Sequence, residues 1–264
     1  MKEKIRAICK DIETEHNIKI LFAVENGSRA WRMDSKNSDF DVRFVFVRPL
    51  KEYIQIDNPI EVIGVTLNKE SKPCPPKGAF IDISGFDIFK YVKMLSVSNP
   101  TTIEWLMSDI VYYGKQNEVF KKFAIEHFNP KSLYLHYKSL CRNNYQKYIK
   151  TEHQVTYKKY LYAYRGLVNA KWVAHKQTVP PIIFTEAIKQ MKGIIPLPVM
   201  NKLLEIIDLK SQGKEGDIIK NITELDKQIE TFLDDDSEVP PERLPAALDQ
   251  LNTELRIVVH VPLG

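Results

Sequence analysis

The chain has 264 residues, of which 44% are hydrophobic and 27% charged, with a formal net charge of +4. That length suits one or two domains, and no apolar run approaches the ~20 residues of a membrane span, so the composition is that of a folded globular protein. The mild positive charge permits anionic ligands but falls short of the basicity of a protein that coats nucleic acid.

Residues 3–15 place Ile5, Ile8, Cys9 and Ile12 on one helical face, a pattern unlike the charged-then-apolar layout of an export leader. "IKILFAV" at 18–24 reads as a buried strand. Gly27 breaks that pattern, and "SRAWRMD" is expected to start a helix with Ser28 near its N-terminus. A second strand, "FDVRFVFV", follows, with Asp39 and Asp41 at its beginning. Residues 48–78 are rich in proline and read as a loop excursion around a short strand, "EVIGVTL". "AFIDIS" reads as the next strand, ended by Gly85, with Asp87 as N-cap of the helix "IFKYVKMLSVS". "PTTIEWLMS" repeats the cue.

From residue 118 the strand signal disappears. Two long helices rich in Tyr, Lys and Arg are expected, then helices at 184–192, 198–211 and 214–234. The acidic "LDDDSEVPPERLP" reads as a solvated connection, and "ELRIVVHVPLG" as a late strand. The expected division is a domain of residues 1–117 and a helical domain of residues 118–264.

Cys9, Cys74 and Cys141 are odd in number and widely spaced, without a CxxC pair, and read as free thiols in a reducing cytoplasm. His16, His127, His136, His153, His175 and His260 form no HxH, HExxH or Cys-paired spacing, which disfavours a zinc enzyme. No arginine is followed five residues later by a histidine, so the helical half lacks the Arg-x4-His motif of HEPN ribonucleases.

The chemistry concentrates at residues 27–82. Two carboxylates one residue apart on a strand project to the same face, and like charges that close are costly unless a cation lies between them. Asp39 and Asp41 therefore point to a divalent metal, Mg²⁺ or Mn²⁺, as hard, oxygen-seeking ions. Asp82 lies in a strand with apolar neighbours on both sides, where an unpaired charge is hard to justify, and is the candidate third ligand. Gly27 and Ser28 supply a complementary half, since glycine allows close approach of backbone to a ligand and the N–H groups opening the next helix attract anions. Two ions with a triphosphate between them have a definite use: one activates an attacking oxygen while the other steadies the pyrophosphate leaving group.

"GS" at 27–28 with "DFDVRF" at 39–44 resembles the hallmark of the DNA polymerase β nucleotidyltransferase superfamily. More closely, "GSRAW", "SDFDVRFVFV", "IDISGFDIFKYVKML", "SNPTTIEWLMS", "YKSLCRNNYQKYI" and "KKYLYAYRGLVNAKWV" are similar to the RlaP-type nucleotidyltransferases, associated with RNA repair and RNA ligase neighbours. The similarity spans about residues 20 to 175. It implies an α+β fold: a minimal polymerase β-type palm, a mixed sheet with flanking helices, followed by an all-α C-terminal domain. It also implies metal ligands at Asp39, Asp41 and Asp82. Two positions depart from many relatives: Arg32 stands where they have glycine, and Phe86 where they have Trp.

Arg29, one position past Ser28, suits a forked pairing with phosphate oxygens, with a solvated helix face as the equal alternative. Ser38, with Asn37, forms the turn beside the expected metals. Arg43 continues the Asp39 and Asp41 face by period two, so it neutralises that cluster or meets a phosphate, with a structural ion pair as the equal alternative. Lys158, Tyr162 and Arg165 share one helical face. The resemblance assigns nucleotide binding in the same segment to Lys159, Tyr160 and Arg165, and more weakly to Asn144 and Tyr145. The activity this implies is transfer of a nucleoside monophosphate from a nucleoside triphosphate to a hydroxyl, with an RNA or tRNA end as the suggested acceptor. The other readings are a non-catalytic nucleotide- or RNA-binding module and an enzyme that nucleotidylates a protein. No membrane partner is expected, and oligomeric state is left open.

Overall fold

A computed structural model describes residues 1–57, 59–151, 154–243 and 248–260. In chain order the elements are α1 (Lys2–His16), β1 (Lys19–Asn26), α2 (Gly27–Ala30), β2 (Phe40–Val47), α3 (Leu50–Tyr53), β3 (Val62–Leu67), β4 (Ile81–Asp87), α4 (Ile88–Ser96), α5 (Pro100–Met107) and β5 (Val111–Gly114). There follow α6 (Glu118–Glu126), α7 (Pro130–Tyr145) continued by a π-helical turn at Gln146–Lys150, β6 (Val155–Thr156), α8 (Tyr157–Lys176), α9 (Phe184–Gln190), α10 (Leu197–Ser211), β7 (Ile218–Ile219), α11 (Thr223–Asp234) and α12 (Leu248–Val259). The fold is α+β, and no helix among the described residues is long and apolar enough to cross a membrane. Contacts divide the chain into one compact unit of Met1–Ala30, Ser38–His127 and Pro245–Gly264, and a second of Trp31–Asn37 and Phe128–Leu244.

The first unit is built on a five-stranded mixed sheet of order β3-β4-β2-β1-β5. Strands β1 and β2 are antiparallel, whereas β2 and β4 run parallel, with Asp41 opposite Asp82. Helix α1 buries Ile5, Cys9 and Ile12 in a core with Ile20, Val42, Phe44, Phe46, Ile81 and Ile83 of the sheet. It ends at Asn17, in the left-handed region (φ 50°) that asparagine tolerates better than most residues. Helices α4 and α5 bring Tyr91 against Phe22 (ring centroids 5.9 Å) and Trp105 against Phe86 (4.7 Å). Phe86, the second departure from the relatives, is thus a packing residue.

Local capping chemistry sets the helix starts. Asn99, Asn117 and Asn129 cap α5, α6 and α7 by accepting main-chain N–H groups, and Pro100 and Pro130 occupy first-turn positions where no N–H is needed. Asp87 caps α4 as expected, accepting from the Phe89 N–H at 2.9 Å.

The second unit is helical apart from the two-residue pairing of β6 with β7. Helices α7 and α8 pack along each other, with Tyr134, Tyr137, Tyr160 and Tyr164 fully buried.

The helix expected over 214–234 begins only at Thr223, after β7, and three further expectations need correction. Gly85 does not end its strand: β4 runs through it to Asp87, because a side chain there would meet the Phe44 ring at 2.3 Å and glycine is what lets the two strands pack. The tail is a helix where described, with Leu251, Val258 and Val259 buried at helical spacing. Its last residues, 261–264, lie outside the described residues, as does His153. Finally, the acidic stretch after α11 is not simply solvated. Lys138 donates to the Asp235 carbonyl (2.6 Å) and Asp236 carboxylate (2.7 Å), and Lys171 to Glu238 (2.7 Å), since buried ammonium groups need anionic partners. Residues 244 and 245 of that stretch lie outside the described residues.

The Asp87 cap gives a pH signature. Burial raises its carboxyl above the ordinary 3.8, against the lowering influence of the Tyr53 hydroxyl, the Phe89 N–H and Arg48. The folded state therefore retains a proton that the unfolded chain has released, so this group's contribution to stability falls as pH rises from 3.8 towards its raised value. Asp87→Asn keeps a capping side chain and is expected to lose that fall, whereas Asp87→Ala costs about 1 kcal/mol through the lost cap. Urea midpoints of wild type and both variants, from acid to neutral pH, check this.

Candidate active site

The site is assembled where β1 turns into α2 and where β2 and β4 lie side by side. Register places Asn26 opposite Asp41 across β1 and β2, and Asp41 opposite Asp82 across β2 and β4. Matched residues on neighbouring strands point to one face of the sheet, so the Asp41 and Asp82 carboxylates are neighbours. Arg43, two residues along β2, projects to the same face and closes on both. Its Nη2 donates to Asp82 Oδ2 at 2.7 Å and lies 3.5 Å from Asp41 Oδ1, while its Nη1 donates to the Val42 and Asp82 carbonyls at 2.9 and 3.0 Å. The guanidinium is thereby the cation between the two carboxylates.

Gly27 supplies the third wall. Its φ of +61° is left-handed, and a Cβ built on it would stand 2.0 Å from Asp41 Oδ2. Any side chain at 27 would occupy the space of that carboxylate, which is the physical reason for glycine at this step. Ser28 is buried at the start of α2, and α2 is a single turn, shorter than the helix expected there.

Asp39 precedes β2 instead of lying within it, and its side chain is exposed. The backbone there is held by Arg29, whose guanidinium donates to the carbonyls of Ser38 and Asp39 (Nε to Asp39 at 2.9 Å) and lies 4.0 Å over the Phe40 ring. Arg29 thus braces the turn before the strand, with Ser38 buried beneath it.

A residue missed in the sequence stands behind this arrangement. Glu25, fully buried in β1, accepts the Asp41 N–H at 2.8 Å and the Tyr112 hydroxyl. Burial pushes its carboxyl up to about 7, against those hydrogen bonds. The signal was available: a charged residue inside "LFAVEN" raises the same question as Asp82 inside "FIDIS".

The donor atoms of Asp41 and Asp82 are carboxylate oxygens, the chemistry of a hard divalent ion, and the Arg43 guanidinium marks a cation position between them. The pair fits such an ion. Asp39 is not drawn in with them: among the described residues no three His, Cys, Asp or Glu side chains are gathered as a ligand set.

Lys159, Tyr160 and Arg165 lie on α8, in the second unit. Tyr160 is fully buried, its hydroxyl donating to Asp226 (2.7 Å) and accepting from the Ile222 N–H (2.9 Å). Arg165 is buried with its guanidinium 3.5 Å over the ring of Trp31, which also meets Tyr162 edge-on at 5.7 Å. The face shared by Lys158, Tyr162 and Arg165 therefore receives Trp31. Lys159 is half-buried, donating to the Gln154 carbonyl at 2.6 Å and lying 6.0 Å over the Tyr148 ring. Asn144 lines an open depression of about 690 Å³ with Asn143, Gln146, Lys147, Tyr148 and Thr151, whereas Tyr145 is buried and bonded to Glu230 (3.0 Å). Arg32, where many relatives have glycine, adopts a φ of +55°, the backbone conformation glycine favours.

Residues 1–256 match the family described as "RlaP: RNA repair pathway DNA polymerase beta family". The uncharacterized protein YcgL of Bacillus subtilis (strain 168) is 32% identical over 257 residues, covering 96% of this chain and 90% of that one. A crystal structure of a nucleotidyltransferase-like protein from Exiguobacterium sibiricum 255-15 aligns with a TM-score of 0.33 and 12% identity over 97% of this chain and 75% of that one, a likeness too remote to carry argument. The chain belongs to the RlaP family and is a nucleotidyltransferase of the DNA polymerase β type.

Gly27→Ala tests the wall beside Asp41. The added methyl group is expected to displace the carboxylate, lowering pyrophosphate release at least ~100-fold, as a displacement near 1 Å at a reacting centre does. Stability should fall by ~1–3 kcal/mol from overpacking and left-handed strain. Initial rates and chemical denaturation measure the two effects.

Proposed function

We propose that this chain transfers a nucleoside monophosphate from a nucleoside triphosphate to a hydroxyl at an RNA or tRNA end. One observation carries the reading: Asp41 and Asp82, at matched positions of parallel neighbours, converge on a single cation position beside Gly27. Family membership supports the reaction class, and the family's RNA repair description supports RNA as acceptor.

The acceptor oxygen attacks the α-phosphorus in line with the bond to the β-phosphate, that bond breaks, and pyrophosphate leaves. Asp41 and Asp82 would hold Mg²⁺ or Mn²⁺, with the exposed Asp39 as a further carboxylate close to them in sequence. When bound, such an ion supplies charge neutralisation for the triphosphate and a lowered acceptor pKa. Asp82, the more exposed of the pair at 36% against 28%, takes the acceptor's proton. Gly27 and Ser28 offer main chain to the donor phosphates beside Asp41, and Arg29 and Ser38 keep the turn that carries Asp39 in place. Of the α8 residues, Lys159 carries a charge that suits a phosphate, while Tyr160 is bonded to Asp226 and Arg165 lies against Trp31.

The test offers each α-labelled triphosphate with Mg²⁺ or Mn²⁺ to RNA, tRNA, protein and small-molecule acceptors. Label is expected in the RNA fraction with matching pyrophosphate release, and Asp41→Asn or Asp82→Asn should lower the rate by at least ~100-fold, in the range seen when a preorganised charged group is removed. Label migrating with protein would replace the RNA acceptor by a protein one. Triphosphate bound intact, with no pyrophosphate released to any acceptor, would leave a binding module and overturn the reading.

A further inference from the structure

Arg43 does more than balance charge. Its Nη1 is tied to the Val42 and Asp82 carbonyls, so the guanidinium keeps its place through bonds that do not involve the carboxylates, while Nη2 covers Asp82 Oδ2 and faces Asp41 Oδ1. A divalent ion held by that pair would need the carboxylate oxygens that Nη2 now faces, and the two cations would repel each other.

We infer that Arg43 is the resident counter-cation of Asp41 and Asp82, and that a divalent ion binds by displacing its Nη2, so the resting protein takes metal poorly without a nucleoside triphosphate. This rests on the carboxylate pair being the metal site proposed above. An incoming ion competes with a donor already attached to the same strand, whose effective concentration is high. A triphosphate changes the balance in two ways. Its oxygens add negative ligands for the ion, and they give the released guanidinium a forked partner of the geometry it prefers. Metal and triphosphate therefore bind cooperatively, each raising the other's affinity by the same factor. Arg43 is in this sense a positioning residue that keeps the carboxylates apart and charge-balanced until the substrate arrives.

The experiment is a Mn²⁺ titration of the full chain, followed by electron paramagnetic resonance, with and without a non-hydrolysable triphosphate analogue. Wild type, Arg43→Met, Arg43→Lys and Asp41→Asn are compared. Without nucleotide, Arg43→Met should bind Mn²⁺ about tenfold more tightly than wild type, within the usual 5–150-fold range of coupled sites. The analogue should tighten Mn²⁺ binding far more in wild type than in Arg43→Met. Arg43→Lys keeps the charge but loses the fork, and should fall between them. It decides the matter if urea denaturation shows that Arg43→Met does not fold.

If wild type binds Mn²⁺ through Asp41, as shown by loss in Asp41→Asn, but neither arginine variant binds it more tightly without nucleotide, the inference fails and the metal-site reading stands. If Asp41→Asn binds Mn²⁺ like wild type, or no protein binds it, both fail.

Discussion

Two carboxylates face each other across β2 and β4, and the part of the sheet around them is organised so that this repulsive pair is tolerated. Repulsion between like charges at adjacent strand positions works against the sheet unless a cation sits between them. The guanidinium of Arg43 meets that need from inside the same strand, at a position with the side-chain parity of Asp41. Its neighbours fit the same requirement. Glu25 would add a third negative charge behind Asp41, but burial pushes its carboxyl up to about 7, so around neutral pH much of that charge is suppressed. Gly27 leaves room for the Asp41 carboxylate on the remaining side. Register sets the two carboxylates side by side, and Arg43 and Gly27 define the space around them.

Much of this was legible in the sequence because it follows from periodicity and local chemistry. Helix α1 announced itself through Ile5, Ile8, Cys9 and Ile12, the β1, β2 and β4 strands through β-branched and aromatic runs, and α4 through its Asp87 cap. What failed depends on partners distant in the chain. The four-residue β5 offers too short a pattern to declare itself and exists because β1 presents an edge to it. Gly85 was expected to end a strand, since sequence alone does not show the Phe44 ring that packs on it. The tail's "RIVVHV" has strand-forming residues, yet burial of Leu251, Val258 and Val259 as part of α12 overrides that propensity.

The site shows the same split. That Asp41 and Asp82 belong together could be argued from charges placed in apolar strands, but parallel pairing of β2 with β4 is what makes them register partners. Asp39 was grouped with Asp41 on the assumption that the strand already included it. The ladder begins at Phe40, whose N–H donates to the Phe80 carbonyl at 2.9 Å, so alternation gives no rule for the residue before it. Arg43 had two expected roles, and the geometry shows it neutralising the carboxylates without excluding the other. Arg29, read equally as a phosphate partner or as part of a solvated helix face, donates to the Ser38 and Asp39 carbonyls.

The connection from Gly27–Ala30 to Asp39 also explains why the aromatic, basic face of α8 is not simply a nucleotide platform. Residues 31–37 belong to the helical unit, held by Arg165 and Tyr162 against Trp31, by the Phe184 N–H donating to the Trp31 carbonyl at 3.1 Å, and by Ser35 donating to Glu215 at 3.2 Å. Glu215 in turn pairs with the buried Lys210 at 2.7 Å. Guanidinium on indole is a strong use of an arginine away from water, and it gives Arg165 a packing task in the helical unit. The span between the Gly-Ser step and the DxD is thus fixed by side chains more than a hundred residues away in sequence.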